Sequence, residues 1–390
     1  MTDHTFVPLY DTAHDVGVAS AARVRGGRFA VELCNDLGRI EAGWRALERD
    51  GCGTVFQNFD AFAAWTQHIA PAHAISWHVM IVRDRRRGRL VMILPLCLRM
   101  QDGLRVIEGA DLEVSDYIAP VMGADFYPST AEVSAIWGEA RKLLPAADLI
   151  RLSKMPAMLG LTPNPLLRLS NVRPFRLSNF RMRLDGGPPT WAERMPEKLR
   201  GELGARRRKL SKRGRITFRT AETAAESLRF FDVMVAQRAE RCRTMGRGNI
   251  LADARYQAFY RDLLRPGATG AAAVMQVLML DDEIIATGYG LRQGADFLMI
   301  FPTFVAQTWR NYSPGLQFFM ESMQWAADQG CSTYDFTIGA ESFKSDFGAE
   351  EALLYEYLSA ASWRGVPMIL ARGLRGRVRQ ARNYLRRVTF

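Results

Sequence analysis

The sequence has few residues of the types that most often bind metals or form disulfides. Its 390 residues include five cysteines, an odd number, with no Cys-x-x-Cys pair. This usage argues against structural disulfides and against a cysteine-based zinc site. The five histidines all lie within the first 78 residues. A catalytic site in the C-terminal half would therefore work without imidazole, which excludes Ser/His and Cys/His chemistry there.

Long apolar stretches are also missing. No apolar run reaches the ~20 residues that a membrane span requires. The first ten residues include Asp3 and lack the basic-then-apolar pattern of a signal peptide. We expect a cytoplasmic protein, with peripheral contact at the inner membrane face left open. With 48% hydrophobic and 24% charged residues, the chain has the composition of a globular protein, and its length favours two domains.

The positive charge is concentrated in two segments. The formal net charge is +11, yet Lys198–Arg215 alone carries nine basic residues against one acid, and Arg364–Phe390 carries eight arginines and no acid. The rest of the chain is therefore mildly acidic. Such segments can contact tRNA or an anionic membrane, although a solvated helix face has the same appearance. Aromatic residues are sparse in both segments, which argues against base-stacking platforms.

Hydrophobic periodicity in the first half predicts a mixture of strands and helices. The predicted strands cover residues 28–33, 78–83, 89–98 and 149–153, and the predicted helices cover 36–49, 60–69 and 129–144. Six prolines between residues 153 and 189 break regular structure, so we expect the crossing between two domains there.

The second half has the clearest pattern. After predicted helices over 222–243 and 253–264, three β-rich runs separated by tight turns predict an antiparallel meander over 272–280, 284–291 and 296–304. Pro302 is expected to mark a bulge in the third strand. Ser313 then fits a helix N-cap, Pro314 the first helical position, and Gly330 the end. Strands over 333–338 and 353–361 close the half.

This order of elements carries a resemblance when taken with the segments WRNYSPG (309–315), YDFTIG (334–339) and SFK (342–344). The chain resembles the GNAT-fold acetyltransferases of the cellulose-biosynthesis (CelD/BcsL) type, and it looks similar to FemABX-type peptidyltransferases, which are tandem GNAT-like chains. Phe56-Gln57, Ser115-Asp116-Tyr117 and Arg238 add to the match. No single motif is specific, and the co-linear set carries the resemblance.

The resemblance implies an α/β (α+β) fold of tandem GNAT-like domains, each a mixed, largely antiparallel sheet flanked by helices. The expected divisions are a lead-in over 1–27, an N-terminal domain over 28–180, a C-terminal acyltransferase domain over 181–362 and a basic tail over 363–390. It also implies acetyl-CoA or another acyl-CoA as co-substrate, no metal, and a gap between the fourth and fifth strands that admits the acyl group. One feature departs from the family: the stretch from Arg310 to Gly315 has a single glycine where most simple GNAT enzymes have a glycine-rich pyrophosphate loop.

The candidate site residues follow from these expectations. The catalytic candidates are Asp335, Lys344 and Glu341. The candidates for donor binding are Phe301, Thr303, Ser313 and Gly315, because a helix beginning at Ser313 offers free N–H groups to an anion. The candidates for substrate binding are Arg238, Arg241 and Tyr312, since a guanidinium suits a carboxylate or phosphate. Each also has a purely structural interpretation, as a helix start, a strand-end carboxylate or a surface ion pair.

Three functions remain open from sequence. The first is acyl transfer from acyl-CoA to an amine or hydroxyl of a small-molecule, sugar or cell-envelope acceptor. The second is aminoacyl transfer from charged tRNA, with Lys198–Arg215 contacting the RNA. The third is a non-catalytic GNAT-like scaffold held at an anionic membrane by the arginine tail.

Overall fold

The structure is a computed structural model that describes residues 27–186, 190–265, 272–339 and 341–371. The tail beyond residue 371 and the lead-in up to residue 26 lie outside these ranges, so the predictions made for them remain predictions. Within the described ranges, no helix is long and apolar enough to cross a membrane.

The N-terminal half alternates strands and helices around one part of a large sheet. Its elements are β1 (Phe29–Cys34), α1 (Leu37–Asp50), β2 (Gly51–Cys52), α2 (Phe59–His68), β3 (Ser76–Asp84), β4 (Arg89–Gln101), β5 (Leu104–Gly109), β6 (Val121–Gly123), α3 (Thr130–Leu143), β7 (Leu149–Pro156), β8 (Met158–Leu159), β9 (Thr162–Pro163) and β10 (Val172–Arg183). Local chemistry sets several boundaries: Ser129 and Glu132 form a reciprocal capping box at the start of α3.

The C-terminal half repeats the same order of long elements. It contains α4 (Trp191–Arg194), α5 (Glu197–Ser211), β11 (Ile216–Thr220), α6 (Ala224–Met245), α7 (Ala254–Leu263), β12 (Ala272–Leu280), β13 (Glu283–Gln293), β14 (Asp296–Phe304), α8 (Ala306–Trp309), α9 (Pro314–Asp328), β15 (Thr333–Ile338), α10 (Ser342–Asp346) and β16 (Glu350–Ala360). The predicted meander, the helix after Ser313 and both closing strands are confirmed. Each predicted boundary lies within three residues of the observed one.

The sheet is continuous across both halves. Its main strand order is β1-β3-β4-β5-β7-β16-β10-β15-β14-β13-β12-β11, mostly antiparallel, with β2 and β6 attached beside β4. β16, from the end of the second half, pairs with β7 of the first half. β10, from the end of the first half, pairs with β15 of the second. The two last strands are thus exchanged and pair with each other at the centre, which confirms the α/β fold of two similar halves.

The expected break of regular structure between residues 153 and 189 was wrong, whereas the position of the domain crossing remains a prediction. β10 occupies 12 residues of this range and lies between β15 and β16 in the middle of the sheet. Pro174 is tolerated because the pairing of β10 with β16 shifts register between Pro174 and Ser178, and a proline fits where the ladder is interrupted.

A shared apolar core joins the halves. Buried side chains of α2, including Phe62 and Trp65, belong to the same cluster as Phe259 and Tyr260 of α7. Because burial of apolar surface stabilises by ~25 cal/mol per Å², two halves with a common core are expected to unfold together. The two halves therefore hold each other's sheet ends at fixed positions.

Candidate functional site

The cleft begins where β14 and β15 separate. The two strands pair in parallel only at Asp296–Thr333, Phe297–Tyr334 and Leu298–Asp335. Beyond this point β14 continues along β13 to Phe304, while β15 follows β10 on its other side. The gap predicted between these strands is therefore present, and we call it the C-terminal cleft.

Irregularities on both strands accompany the separation. In β14 the register with β13 shifts between the pairs Tyr289–Phe301 and Gly290–Met299, which leaves Ile300 as the extra residue. The bulge expected at Pro302 thus lies two residues earlier. In β15 the register shifts opposite β10, and Thr337 has a positive φ of 58°. Bulges bend and twist a strand locally, so both irregularities help to turn the strands apart.

The cleft brings together five of the ten predicted site residues. It has a volume of about 300 Å³, and its walls come from the end of α6, from β14 and β15, and from α9 and α10. The predicted residues that line it are Arg238, Arg241, Thr303, Glu341 and Lys344. The sheet thereby brings together residues that lie up to about 100 positions apart in sequence.

Thr303 is a buried hydroxyl that lacks a partner. Its side chain lines the cleft and is 1% exposed, and no atom in the described part of the chain hydrogen-bonds to its Oγ1. A buried polar atom left unpaired costs about 1–3 kcal/mol. A ligand in the cleft could supply the missing hydrogen bond.

Lys344 has a structural set of contacts. It is 4% exposed, and its Nζ donates to the carbonyl oxygens of Thr337, Ile338 and Gly339 at 3.4, 3.2 and 3.1 Å. The Glu341 carboxylate lies 2.9 Å from the same nitrogen. These contacts hold the end of β15 beside the cleft. A catalytic role for Lys344 or Glu341 remains a prediction.

Asp335 lies in a buried cluster formed by both halves. Its carboxylate, 1% exposed, accepts hydrogen bonds from the Tyr117 hydroxyl at 2.8 Å, from Arg181 Nε at 2.8 Å and from the Thr337 backbone N–H at 2.7 Å. Burial raises the pKa of Asp335, and the Arg181 charge opposes this effect. The contacts favour a role in holding the strand end, while its role as a base remains a prediction.

The start of α9 lies beside the basic helix α5. Ser313 occupies the predicted N-cap position with φ of 51°. Its side chain makes no capping bond, and its hydroxyl instead contacts Arg206 of α5. Arg213 Nε donates to the Tyr312 hydroxyl at 3.2 Å. A Cβ on Gly315 would lie 2.6 Å from the Phe304 ring, so a glycine is required for the close approach of α9 to β14.

Phe301 belongs to the core. It is 6% exposed, and its ring lies 4.9 Å from that of Tyr260 and 4.7 Å from the Arg238 guanidinium carbon. Its contact with a donor molecule therefore stays a prediction. Its ring does contact the Arg238 guanidinium.

Asp116 interacts with a residue of the cleft wall, and it was not among the predicted site residues. It belongs to the Ser115-Asp116-Tyr117 segment of the first half and hydrogen-bonds to Thr337, which lines the cleft. Burial raises the pKa of Asp116 to about 6, against the opposing charge of Lys154. The segment appeared in the resemblance, but only tertiary structure brings it to β15.

The N-terminal half has a matching gap with a different charge pattern. β5 and β7 also pair in parallel at three positions only. Two of the cations there have carboxylate partners: Arg151 Nε donates to Glu108 at 3.1 Å, and Lys154 Nζ lies 2.5 Å from Asp111. No group of His, Cys, Asp and Glu suited to a metal ion occurs among the residues that the structure describes.

Comparison with known proteins agrees with this geometry. Residues 197–345 match the family model of an acetyltransferase (GNAT) domain. No curated protein matches the sequence. The chain is similar to the crystal structure of FemX, with 13% identity and a TM-score of 0.56 over 85% of this chain and 97% of that one.

Two further structures are similar, each with a TM-score of 0.50. The structure of L-PGS from Bacillus licheniformis has 14% identity and a TM-score of 0.50 over 88% of this chain and 97% of that one. The C-terminal domain of a putative lysylphosphatidylglycerol synthetase from Agrobacterium fabrum has 14% identity and a TM-score of 0.50 over 87% and 98%. At such identities the likeness concerns the fold alone.

The family match concerns the C-terminal half of the chain. The matched segment, from α5 to α10, contains the C-terminal cleft and forms a GNAT domain. The protein is an acyltransferase, and domains of this class use acyl-CoA in general.

Proposed function

We propose that the protein transfers an acyl group from acyl-CoA to an amine or hydroxyl of a small-molecule, sugar or cell-envelope acceptor, as the resemblance to the cellulose-biosynthesis type implies. The observation that carries this proposal is the separation of β14 from β15 beyond Leu298 and Asp335. Strand N–H groups that face this gap lack a strand partner, and such groups can donate to a thioester oxygen as negative charge develops on it.

The start of α9 is the proposed contact for the phosphates of the donor. Its first N–H groups are free of helical partners, and the nearby guanidinium of Arg206 and that of Arg213 add positive charge. Ser313 and Tyr312 are held by the two arginines. This arrangement offers an alternative to the glycine-rich loop of simple GNAT enzymes.

The acceptor must lose a proton during transfer. Three carboxyl groups are candidates: Asp335, Glu341 and Asp116. Asp335 is occupied by Tyr117 and Arg181, and Glu341 is paired with Lys344. We favour Asp116, because it interacts with Thr337 of the cleft wall and its pKa of about 6 leaves it ionised at neutral pH yet able to take a proton.

The test uses the unpartnered hydroxyl of Thr303. We expect Thr303→Val to leave folding stability unchanged or raised, because it removes a buried unpaired group, and to weaken acetyl-CoA binding in calorimetry by about fivefold or more. Thr220→Val is the matched control, since the Thr220 hydroxyl is also buried and unpaired but lies outside the cleft. Equal acetyl-CoA affinity in both variants, or no acetyl-CoA binding by the wild type, would contradict the proposal.

Transfer from aminoacyl-tRNA is the second candidate function. It is favoured by exposed basic residues on and after α5, the helix that lies beside the start of α9: Lys198, Arg200, Arg208, Lys209, Lys212 and Arg215. tRNA binding through these residues should weaken steeply as salt rises, because counterions are released. Binding of aminoacyl-tRNA together with no binding of acetyl-CoA would replace the first proposal with this one.

A further inference from the structure

Three arginines at the end of α6 face the C-terminal cleft. Arg238 and Arg241 are three residues apart, so they lie on the same side of the helix. α6 ends at Met245, and Gly246 turns the chain with φ of 60°. This turn returns Arg247 to the same cleft. The end of α6 therefore presents three guanidinium groups to one volume.

These guanidinium groups lack carboxylate partners. Arg238 Nε donates to the neutral Asn249 side chain at 3.1 Å. In the described ranges, Arg241 and Arg247 make no side-chain hydrogen bond and no ion pair. The charged residues that line the cleft are four cations, counting Lys344, against the single carboxylate of Glu341. The cleft therefore carries an excess of positive charge.

Two of these arginines are held in place and partly desolvated. The Arg238 guanidinium carbon lies 4.7 Å from the centre of the Phe301 ring, and that of Arg241 lies 4.1 Å from the centre of the Phe304 ring. Burial lowers the pKa of both side chains, which reflects charge removed from water without compensation. Stacking on a ring leaves the edges of a guanidinium free to bind a carboxylate or phosphate through two hydrogen bonds.

We propose that the acceptor carries an oxyanion, a carboxylate or a phosphate monoester, which Arg241 and Arg247 bind while its amine or hydroxyl lies near Thr303. Arg238, fixed by Phe301 and Asn249, supports the anion from the helix side. The Thr303 hydroxyl, buried and unpaired in the same cleft, is the second observation that indicates a polar ligand. This inference rests on the proposed function and names the acceptor class for its site.

The test compares acceptors that differ only in the anion. Calorimetry would measure binding of glucosamine 6-phosphate against glucosamine, and of 4-aminobutanoate against 4-aminobutanamide, with inorganic phosphate and acetate as minimal probes. We expect wild-type protein to bind at least one anionic probe about tenfold or more tightly than its neutral counterpart. Arg241→Gln and Arg247→Gln should remove most of that difference. Arg243→Gln is the matched control, because Arg243 lies on the same helix and pairs with exposed Glu240.

A second set of binding measurements distinguishes an anion of the acceptor from a phosphate of the donor. Binding of CoA and of dephospho-CoA to Arg241→Gln would show whether the arginines hold a donor phosphate. A loss for CoA alone (3′-phosphate) or for CoA and dephospho-CoA together (pyrophosphate), with no change for the acceptor probes, would overturn the proposal, as would equal binding of every probe by wild type and Arg241→Gln. Binding needs no turnover, so the two failures are distinguishable: absence of acyl transfer would refute the proposed function, whereas acyl transfer without Arg241-dependent binding of an anionic probe would refute this inference alone.

Discussion

The buried contact between Tyr117 and Asp335 gives the sharpest test of how the two halves support the cleft. Tyr117→Phe removes one hydroxyl from a side chain that is 1% exposed and leaves the ring in place. The lost hydrogen bond, 2.8 Å long, goes to a carboxylate that also holds the Thr337 N–H. We therefore expect the change to affect both stability and the geometry of the cleft.

The magnitude follows from the charge of the acceptor. A hydrogen bond to a charged group contributes about 1.5–3 kcal/mol to stability, whereas one between neutral groups contributes about 0.5–1.5 kcal/mol. Tyr289 provides a matched comparison, because it is also fully buried but donates to the neutral Tyr260 carbonyl at 3.2 Å. Tyr117→Phe should thus lower the free energy of unfolding by ~2 kcal/mol and Tyr289→Phe by ~1 kcal/mol.

The assay is urea unfolding of the single variants and of a double-mutant cycle. Asp335→Asn keeps the shape of the side chain and removes its charge, so the cycle with Tyr117→Phe should give a coupling free energy of roughly 1–2 kcal/mol. Acyl transfer measured on the same proteins should show a larger loss for Tyr117→Phe than for Tyr289→Phe. Additive effects within about 0.5 kcal/mol, or equal costs for the two tyrosines, would refute the reasoning.

Three further predictions concern the walls of the cleft. Gly315→Ala places a methyl group 2.6 Å from the Phe304 ring, so the free energy of unfolding should fall by about 1–3 kcal/mol. Adding Phe304→Leu to this variant should restore most of the lost stability. A double variant that is no more stable than Gly315→Ala in urea unfolding would contradict the contact. Folding raises the pKa of Asp116 from 3.8 to about 6. At pH values between these two, the folded state therefore binds more protons than the unfolded state. Wild-type stability should therefore fall from pH 4 to pH 6 by at most about 3 kcal/mol relative to Asp116→Asn, and parallel pH profiles would contradict this. Cys242 lines the cleft and is half-buried, so acetyl-CoA should protect it from iodoacetamide in a mass-spectrometric assay, without protecting Cys52.

The outcomes for the candidate residues follow a physical pattern. Arg238, Arg241 and Thr303 line the cleft, while their roles in binding donor or acceptor remain predictions. Asp335 was correctly assigned to the fifth strand of its half, yet its partners Tyr117 and Arg181 come from the first half and from β10. A carboxylate on a strand looks the same in sequence whether it faces a ligand or a buried arginine, so burial and partners could not be predicted.

The sequence by itself determined the local structure of the second half. Tight turns between β-rich runs specify the meander β12–β14, and the Ser-Pro-Gly segment specifies the start of α9, because turn geometry and helix capping depend on neighbours within a few residues. The basic character of α5 is likewise explicit in the order of residues.

Only the tertiary structure decided how the halves share one sheet. β10 and β16 exchange places because strands satisfy their backbone groups with whichever edge the fold presents, and that partner is distant in sequence. The same exchange brings Asp116 and Tyr117 against β15, across more than 200 residues. Hydrophobic periodicity records which face of a strand is buried, and it contains no information about which strand lies alongside.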